Sequence, residues 1–315
     1  MAELVINALD ELKNVQITDD TVLTIGTFDG VHRGHQKIIS SVVNIAKANN
    51  YLAGCITFKE NPREILRPEN TFHYLVSVDE RCKLLESLGL DIVVPLTFDR
   101  GLANVNAEDF VKLLLDNLNL KHLIVGPDFA LGHKRAGTIS VLTEIGERLG
   151  FQVESLEGYA NNSDRVSSSL IRSVIMKEGD VALASKMLGR KYSITATVEK
   201  GHQRGEQIGY RTANLKIPIK RALPLDGVYI TSTTIDSITY ESVTNVGDNP
   251  TFGDKVISVE TYILDFNDII YGKMIKVEFH ERIRSEVKFE SPEKLSEQIS
   301  IDVENTKAYF ANNSN

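Results

Sequence analysis

Gly26-Thr27-Phe28-Asp29-Gly30-Val31-His32-Arg33-Gly34-His35 is the stretch on which the fold of this 315-residue chain turns. It follows the apolar run Val22 to Ile25 and opens a helical pattern, so it sits where a strand hands over to a helix. Gly30 and Gly34 remove side chains that would keep a ligand off the backbone, and a helix N-terminus leaves free N–H groups directed at it. With His32 and His35 three residues apart, the segment is expected to bind phosphate, and two imidazoles beside a positive dipole end suit a triphosphate. Either histidine alone reads as a solvent-facing polar residue. Gly26, Gly30 and Gly34 around both, at the carboxyl edge of a first parallel strand, make ligand binding the stronger reading.

Outward from this segment, short apolar runs alternate with amphipathic stretches. Strands are predicted over 22–27, 52–58, 92–96, 122–125 and 151–154, with helices near 35–49, 78–88, 107–117 and 138–149. That alternation implies an α/β unit, a parallel sheet covered on both faces. Ile38, Ile39, Val42, Val43 and Ala46 recur at helical spacing and give the first helix one buried stripe. Helical pieces around 168–177 and 181–188 lead to Gly189, and beyond it the texture changes. Segments 192–198, 227–234, 242–246, 256–266 and 274–283 are rich in Val, Ile, Thr and Tyr with turn residues between them. Five or six strands at this spacing predict a small antiparallel barrel. Ser291 as N-cap, Pro292 and Glu293 open a closing helix whose apolar stripe is Leu295, Ile299, Val303 and Phe310. Two domains are expected, 1–186 and 187–315, abutting near residues 186–191.

Composition narrows the function. A formal net charge of -8 argues against a nucleic-acid binder working through a broad basic surface, so any phosphate site is expected to be local and no nucleic-acid partner is expected. Cys55 and Cys82 lack companions at metal-ligand spacing, which fits a reducing compartment. The N-terminus carries acidic residues where a signal peptide would carry basic ones, and no run approaches the length of a membrane span. A cytoplasmic protein with no membrane partner is expected. The oligomeric state stays open.

Neither GxxxxGK[ST] nor GxGxxG occurs, which leaves HxGH as the phosphate signature. In nucleotidyl transfer the attacked phosphorus gathers negative charge, and catalysis consists mostly of alignment and of donors offered to that charge. A second element supports this. Val166-Ser167-Ser168-Ser169-Leu170-Ile171-Arg172 begins a helix with hydroxyls at its start and an arginine one turn along, able to hold departing phosphates. Alone it reads as a plain serine cap with a solvated arginine.

These two segments, with Val125-Gly126-Pro127-Asp128-Phe129-Ala130-Leu131-Gly132 between them, resemble the bacterial bifunctional riboflavin kinase/FMN adenylyltransferase, or FAD synthetase, family. The resemblance implies an HxGH, Rossmann-like nucleotidyltransferase domain that takes Mg-ATP and FMN and releases FAD and pyrophosphate. It implies His32, His35 and Arg172 as catalytic residues, Gly26, Phe28, Gly30, Gly34, Asp128, Ser168 and Ser169 at the ATP, and Asn61 at the flavin. Asn61 stands where the family usually has histidine, and Ser169 where it usually has threonine. The serine keeps the hydroxyl, while Asn61 keeps hydrogen bonding without a protonatable ring.

The second half carries its own set. Gly201-His-Gln-Arg-Gly205 is a glycine-punctuated loop, and Thr212-Ala-Asn214 puts a hydroxyl and an amide on one face of a strand, hard oxygen ligands suited to magnesium. By spacing alone, Thr-x-Asn is also ordinary strand polarity. The stretch looks like the riboflavin kinase motif, and the likeness continues through Thr244-Asn-Val-Gly247, Val259-Glu260-Thr261 and Arg284-Ser-Glu286. It implies Gly201 and Gly205 over ATP, Thr212 and Asn214 on Mg2+, Glu260 as the catalytic base, and Arg284 and Glu286 at the flavin. Alternation sets Glu260 opposite Ile257, Val259 and Ile263, which fits a pocket wall and a solvated face equally. Arg211 replaces the family's usual proline. It can loosen the approach to Thr212, add a phosphate contact, or do nothing.

The leading expectation is one polypeptide that phosphorylates riboflavin to FMN and adenylylates FMN to FAD, with ATP as co-substrate. Two others are carried: a flavin-binding regulatory paralogue that has lost one or both activities, and a nucleotidyltransferase for another phosphorylated alcohol.

Overall fold

The computed structural model describes residues 8–67, 69, 71–156, 160–161, 164–201, 209–218, 220–249 and 256–313. The chain divides into two compact units, Met1–Ser168 and Ser169–Asn315.

The first unit holds five parallel strands: β1 (Thr21–Ile25), β2 (Leu52–Phe58), β3 (Ile92–Leu96), β4 (Leu120–Val125) and β5 (Gln152–Ser155). Their lateral order is β3-β2-β1-β4-β5. Period-two alternation sends Leu23, Ile56 and Leu123 to one face, against Phe110, Leu114 and Leu142. Val22, Ala53, Cys55 and Ile124 go to the other, against Ile39, Val42, Val43 and Ala46 of the helix Arg33–Asn49. Both faces are thus apolar, as the sequence led one to expect of a parallel sheet. A short helix, Ala8–Lys13, was not foreseen. Its Leu12 is fully buried, and its Glu11 accepts hydrogen bonds from the Thr97 amide and the Lys59 ammonium.

The strand order matters for function. Successive strands from β1 run one way to β3, and β4 and β5 lie on the other side of β1. Chains leaving the carboxyl ends of β1 and β4 therefore diverge and open a crevice, the usual ligand position in an open α/β sheet. The loops after Ile25 and Val125, carrying the decapeptide and Gly126–Asp128, leave from those two ends.

The second unit is a closed antiparallel barrel of β6 (Tyr192–Glu199), β7 (Thr212–Lys216), β8 (Gly227–Ile235), β9 (Ile238–Asn249), β10 (Val256–Ile263) and β11 (Met274–Arg284), in the lateral order β6-β7-β10-β9-β8-β11. Its interior mixes Ile194, Leu215, Val246, Val259, Val277 and Phe279 with five fully buried hydroxyls, Thr231, Thr233, Ser242, Thr244 and Thr261. They satisfy one another: Thr231 lies 2.7 Å from Ser242 and 2.8 Å from Thr244, and Thr244 lies 2.9 Å from Thr261. Inward Val259, Thr261 and Ile263 force Glu260 outward. Ile257 shares their parity but sits at the strand's start and is exposed, so it is no part of the apolar face.

The closing helix, Pro292–Asn313, begins at Ser291, whose hydroxyl accepts the Lys294 amide at 3.4 Å. Its stripe departs from expectation. Leu295, Ile299, Val303 and Phe310 are half-buried, and the two fully buried side chains are Asp302 and Thr306. Among the described residues no helix is long and apolar enough to cross a membrane.

Candidate functional sites, one in each unit

In the first unit the turn from β1 into the helix is strained. Phe28 and Val31 adopt φ of 45° and 42°, beside Gly30 at 80°. Left-handed backbone at a β-branched residue costs on the order of 1–3 kcal/mol and persists only where surroundings impose it. The restraints are visible. Thr57 and Arg81 both donate to the Thr27 carbonyl, the Asp29 carboxylate accepts the amides of Leu75 and Val76, and Ser168 donates to the Asp29 carbonyl at 2.8 Å. A Cβ on Gly26 would stand 3.0 Å from the Phe28 ring and press that ring aside by a few tenths of an ångström.

The loop delivers both histidines to one place. His32 caps the helix, its Nδ1 accepting the His35 amide at 3.4 Å, which leaves Nε2 to carry the proton. The rings stack with centroids 3.6 Å apart, and Phe28 meets His35 edge-on at 5.0 Å. Burial, then His32, then Arg81 hold the His35 imidazole well below its ordinary value, so it is neutral. Two stacked imidazoles, that of His35 neutral, can act as hydrogen-bond donors to a phosphate.

Asp128 is exposed in the loop after β4, and the Arg135 guanidinium donates to its carbonyl at 2.8 Å. Asn61 serves as N-cap of the turn Pro62–Leu66, its Oδ1 accepting the Arg63 amide at 2.9 Å, while its own amide donates to the Tyr74 hydroxyl at 2.8 Å. That gives this asparagine a structural task a histidine would perform less well. Ser169 and Arg172 lie within 3.3 Å of each other, one turn apart on Ser168–Ser173, and both belong to the second unit.

In the barrel, register assembles what sequence could only place on separate segments. Asn214 pairs with Glu260, Glu260 with Asn245, Asn245 with Val228, and Val228 with Arg284. These five residues form one row across β7, β10, β9, β8 and β11. At about 4.8 Å per strand, Glu260 and Arg284 lie on the order of 14 Å apart along the wall. Thr212, two residues from Asn214 and on the same face, donates to Glu260 at 3.4 Å.

Glycines frame the row. A Cβ on Gly201 would stand 2.1 Å from the Asn214 amide nitrogen, and one on Gly247 would stand 2.4 Å from a Glu286 carboxylate oxygen. Gly205 lies outside the described residues. Beside Thr212 opens a cleft of about 160 Å³ lined by Val198, Arg211, Ala213, Phe266 and Tyr271, and Arg211 donates to the Asn267 carbonyl at 3.4 Å. Among the described residues no group of three or more His, Cys, Asp or Glu could hold a metal ion. A magnesium ion in the barrel would rely on neutral oxygens such as Thr212 and Asn214, which fit it as hard ligands that leave room for water and phosphate.

Two residues at these sites were missed by sequence reasoning. Arg81 is 1% exposed beneath the decapeptide, and Asp302 is 1% exposed behind Arg284, whose Nε and Nη2 it holds at 3.1 and 2.8 Å. Each is a charged residue at a helix position that periodicity assigns to the buried stripe. Arg81 lies one turn before Leu85, and Asp302 follows Ile299 by three residues. A charge at such a position is the signal that was available.

Known proteins match both halves. A family model described as FAD synthetase matches residues 14–170, and one described as riboflavin kinase matches residues 188–310. Bifunctional riboflavin kinase/FMN adenylyltransferases are 36% identical in Buchnera aphidicola subsp. Schizaphis graminum, covering 94% of this chain and 96% of the relative, and 32% identical in Bacillus subtilis, covering 93% of each. A crystal structure from Streptococcus pneumoniae, described as a macrolide-efflux protein, superposes with a TM-score of 0.87 at 30% identity, over 94% of this chain and 96% of that one. With relatives above 30% identity along nearly its whole length and a donor set on each unit, the chain belongs to the bifunctional riboflavin kinase/FMN adenylyltransferase family.

Proposed function

We propose that the chain converts riboflavin to FMN on the barrel and FMN to FAD on the parallel-sheet unit, each step consuming ATP. The functional division we assign is 1–186 and 187–315. The observation that carries the reading is the pairing of Asn214 with Glu260 on the barrel wall, in a chain whose other unit stacks His32 on His35 at the sheet's crevice.

On the barrel, Glu260 takes the proton of the ribityl 5'-hydroxyl as that oxygen attacks the γ-phosphorus, and ADP leaves. Thr212 and Asn214 would hold magnesium, which would supply positive charge to offset that of the phosphates. Gly201 and Gly205 lie over ATP. Arg284 and Glu286 face the flavin. The cleft beside Thr212 suits an apolar, planar group such as a nucleobase.

In the 1–186 division, a phosphate oxygen of FMN attacks the α-phosphorus of ATP, and pyrophosphate leaves. His32 and His35 donate to the charge gathering on that phosphorus. Ser168, Ser169 and Arg172 hold the departing phosphates, Asp128 and the glycine loop contact the nucleotide, and Asn61 contacts FMN. The partners are small molecules, and the setting we assign is the cytoplasm.

Purified chain given riboflavin, ATP and magnesium should form FMN and then FAD by chromatography. His32→Ala or His35→Ala should depress FAD formation by roughly 10²-fold or more while sparing FMN formation. A double-alanine variant that adenylylates at the parent rate would overturn the assignment.

A further inference from the structure

Arg81 is used by none of the steps above, yet it is fully enclosed in the first unit. Its helix, Val78–Ser87, is fixed at its start by a reciprocal cap between Ser77 and Glu80. From there the guanidinium reaches under the decapeptide, Nη1 donating to the Thr27 carbonyl and Nη2 to the Lys59 carbonyl at 3.4 Å. Its Nε is buried without a hydrogen-bond partner. Burial pushes the guanidinium below its ordinary value, and the Asp29 carboxylate opposes that shift.

A buried arginine on backbone carbonyls is a demanding arrangement, because desolvation is offset only if the charge is well placed. Here it is placed on Thr27, the residue directly before left-handed Phe28. Thr27 also receives the Thr57 hydroxyl at 3.1 Å. One carbonyl thus takes two side-chain donors from different elements, at the point where the backbone turns into its strained course.

We propose that Arg81 is a positioning residue for adenylyl transfer, holding the Gly26–His35 turn through Thr27 so that His32 and His35 keep a shared orientation. The inference rests on the adenylyltransferase reading of that unit. Arg81 touches no substrate. It acts through the loop, so its loss should lower turnover more than affinity, displacement of a reacting group by about 1 Å being worth on the order of 10²-fold.

The test uses the full chain, with FMN and ATP as substrates and both kcat and KM measured. Arg81→Met should lower kcat for FAD formation roughly 10²-fold, shift KM for ATP by less than about threefold, and leave FMN formation from riboflavin unchanged. Arg81→Lys, which keeps the charge and one donor direction, should recover part of that loss. Thr57→Val removes the second donor to the same carbonyl at nearly constant shape, and should lower kcat about threefold to tenfold. Thr57→Val serves as the deciding variant if Arg81→Met does not fold. Parent-like kcat in Arg81→Met, or in Thr57→Val when the arginine variant does not fold, overturns the inference. A rise in KM at constant kcat overturns it as well. Absence of FAD formation in the parent chain would instead sink the adenylyltransferase reading itself.

Discussion

Asp302→Asn offers the sharpest separation of architecture from chemistry in the barrel. The wild-type carboxylate is 2% exposed and accepts three N–H···O contacts from Arg284, at 3.1, 3.2 and 2.8 Å, plus one from Gln298 at 3.1 Å. Asparagine keeps the volume and removes the charge. Orphaning one member of a buried pair costs about 3–5 kcal/mol when the survivor stays buried. Arg284 is 20% exposed and can turn partway to water, which brings the expected loss to about 2–3 kcal/mol. At about 2–4 °C per kcal/mol for a unit of this size, its unfolding midpoint should fall by roughly 5–10 °C. Arg284 would also lose its fixed direction, stacked toward Phe289 at 5.7 Å, and KM for riboflavin should rise about tenfold with kcat little changed. The double variant Arg284→Met/Asp302→Leu replaces the pair by apolar groups and should regain most of the midpoint without regaining KM. A midpoint for Asp302→Asn within about 1 °C of the parent would refute the reasoning.

Glu260→Gln should lower FMN formation by about 10²- to 10⁴-fold while FAD formation from supplied FMN persists, and equal loss of both would refute independent sites. Gly201→Ala would drive a Cβ to 2.1 Å from the Asn214 amide, so kinase activity at low magnesium should fall more than at saturating magnesium, and an unchanged magnesium titration would count against Asn214 as a ligand. His280, held down to about 4 by burial, with Lys191 adding to the shift and Glu278 opposing it, sits 2.9 Å from the Ser232 hydroxyl and against Tyr309 and Phe310 of the closing helix. Its folded value lies below its unfolded value, so the unfolded chain takes the proton first. Stability should be complete above pH ~6.5 and, solvent screening of the part-exposed ring having reduced the effect, fall by about 2 kcal/mol as pH drops from about 6.5 to about 4. A pH-titrated denaturation of His280→Phe showing the same slope as the parent would reject that source.

The sequence by itself determined the architecture and named the candidate donors of both sites. Alternating strand and helix up to residue 155, and β-rich texture after Gly189, sufficed for a parallel sheet followed by a barrel, because hydrophobic period is a local property. The decapeptide was legible for the same reason, being contiguous, whereas Thr-x-Asn alone reads as ordinary strand polarity and stood out only through the family resemblance. What only the tertiary structure decided is register and burial. That Asn214, Glu260, Asn245, Val228 and Arg284 form one row depends on how five strands align, and strand pairing is set by contacts far apart in sequence. Periodicity puts Arg81 and Asp302 on buried stripes, but the carbonyl and the guanidinium that justify burying them come from distant segments. The barrel's polar texture had the same cause: Thr231, Ser242, Thr244 and Thr261 can be core residues only once folding has brought their hydroxyls together.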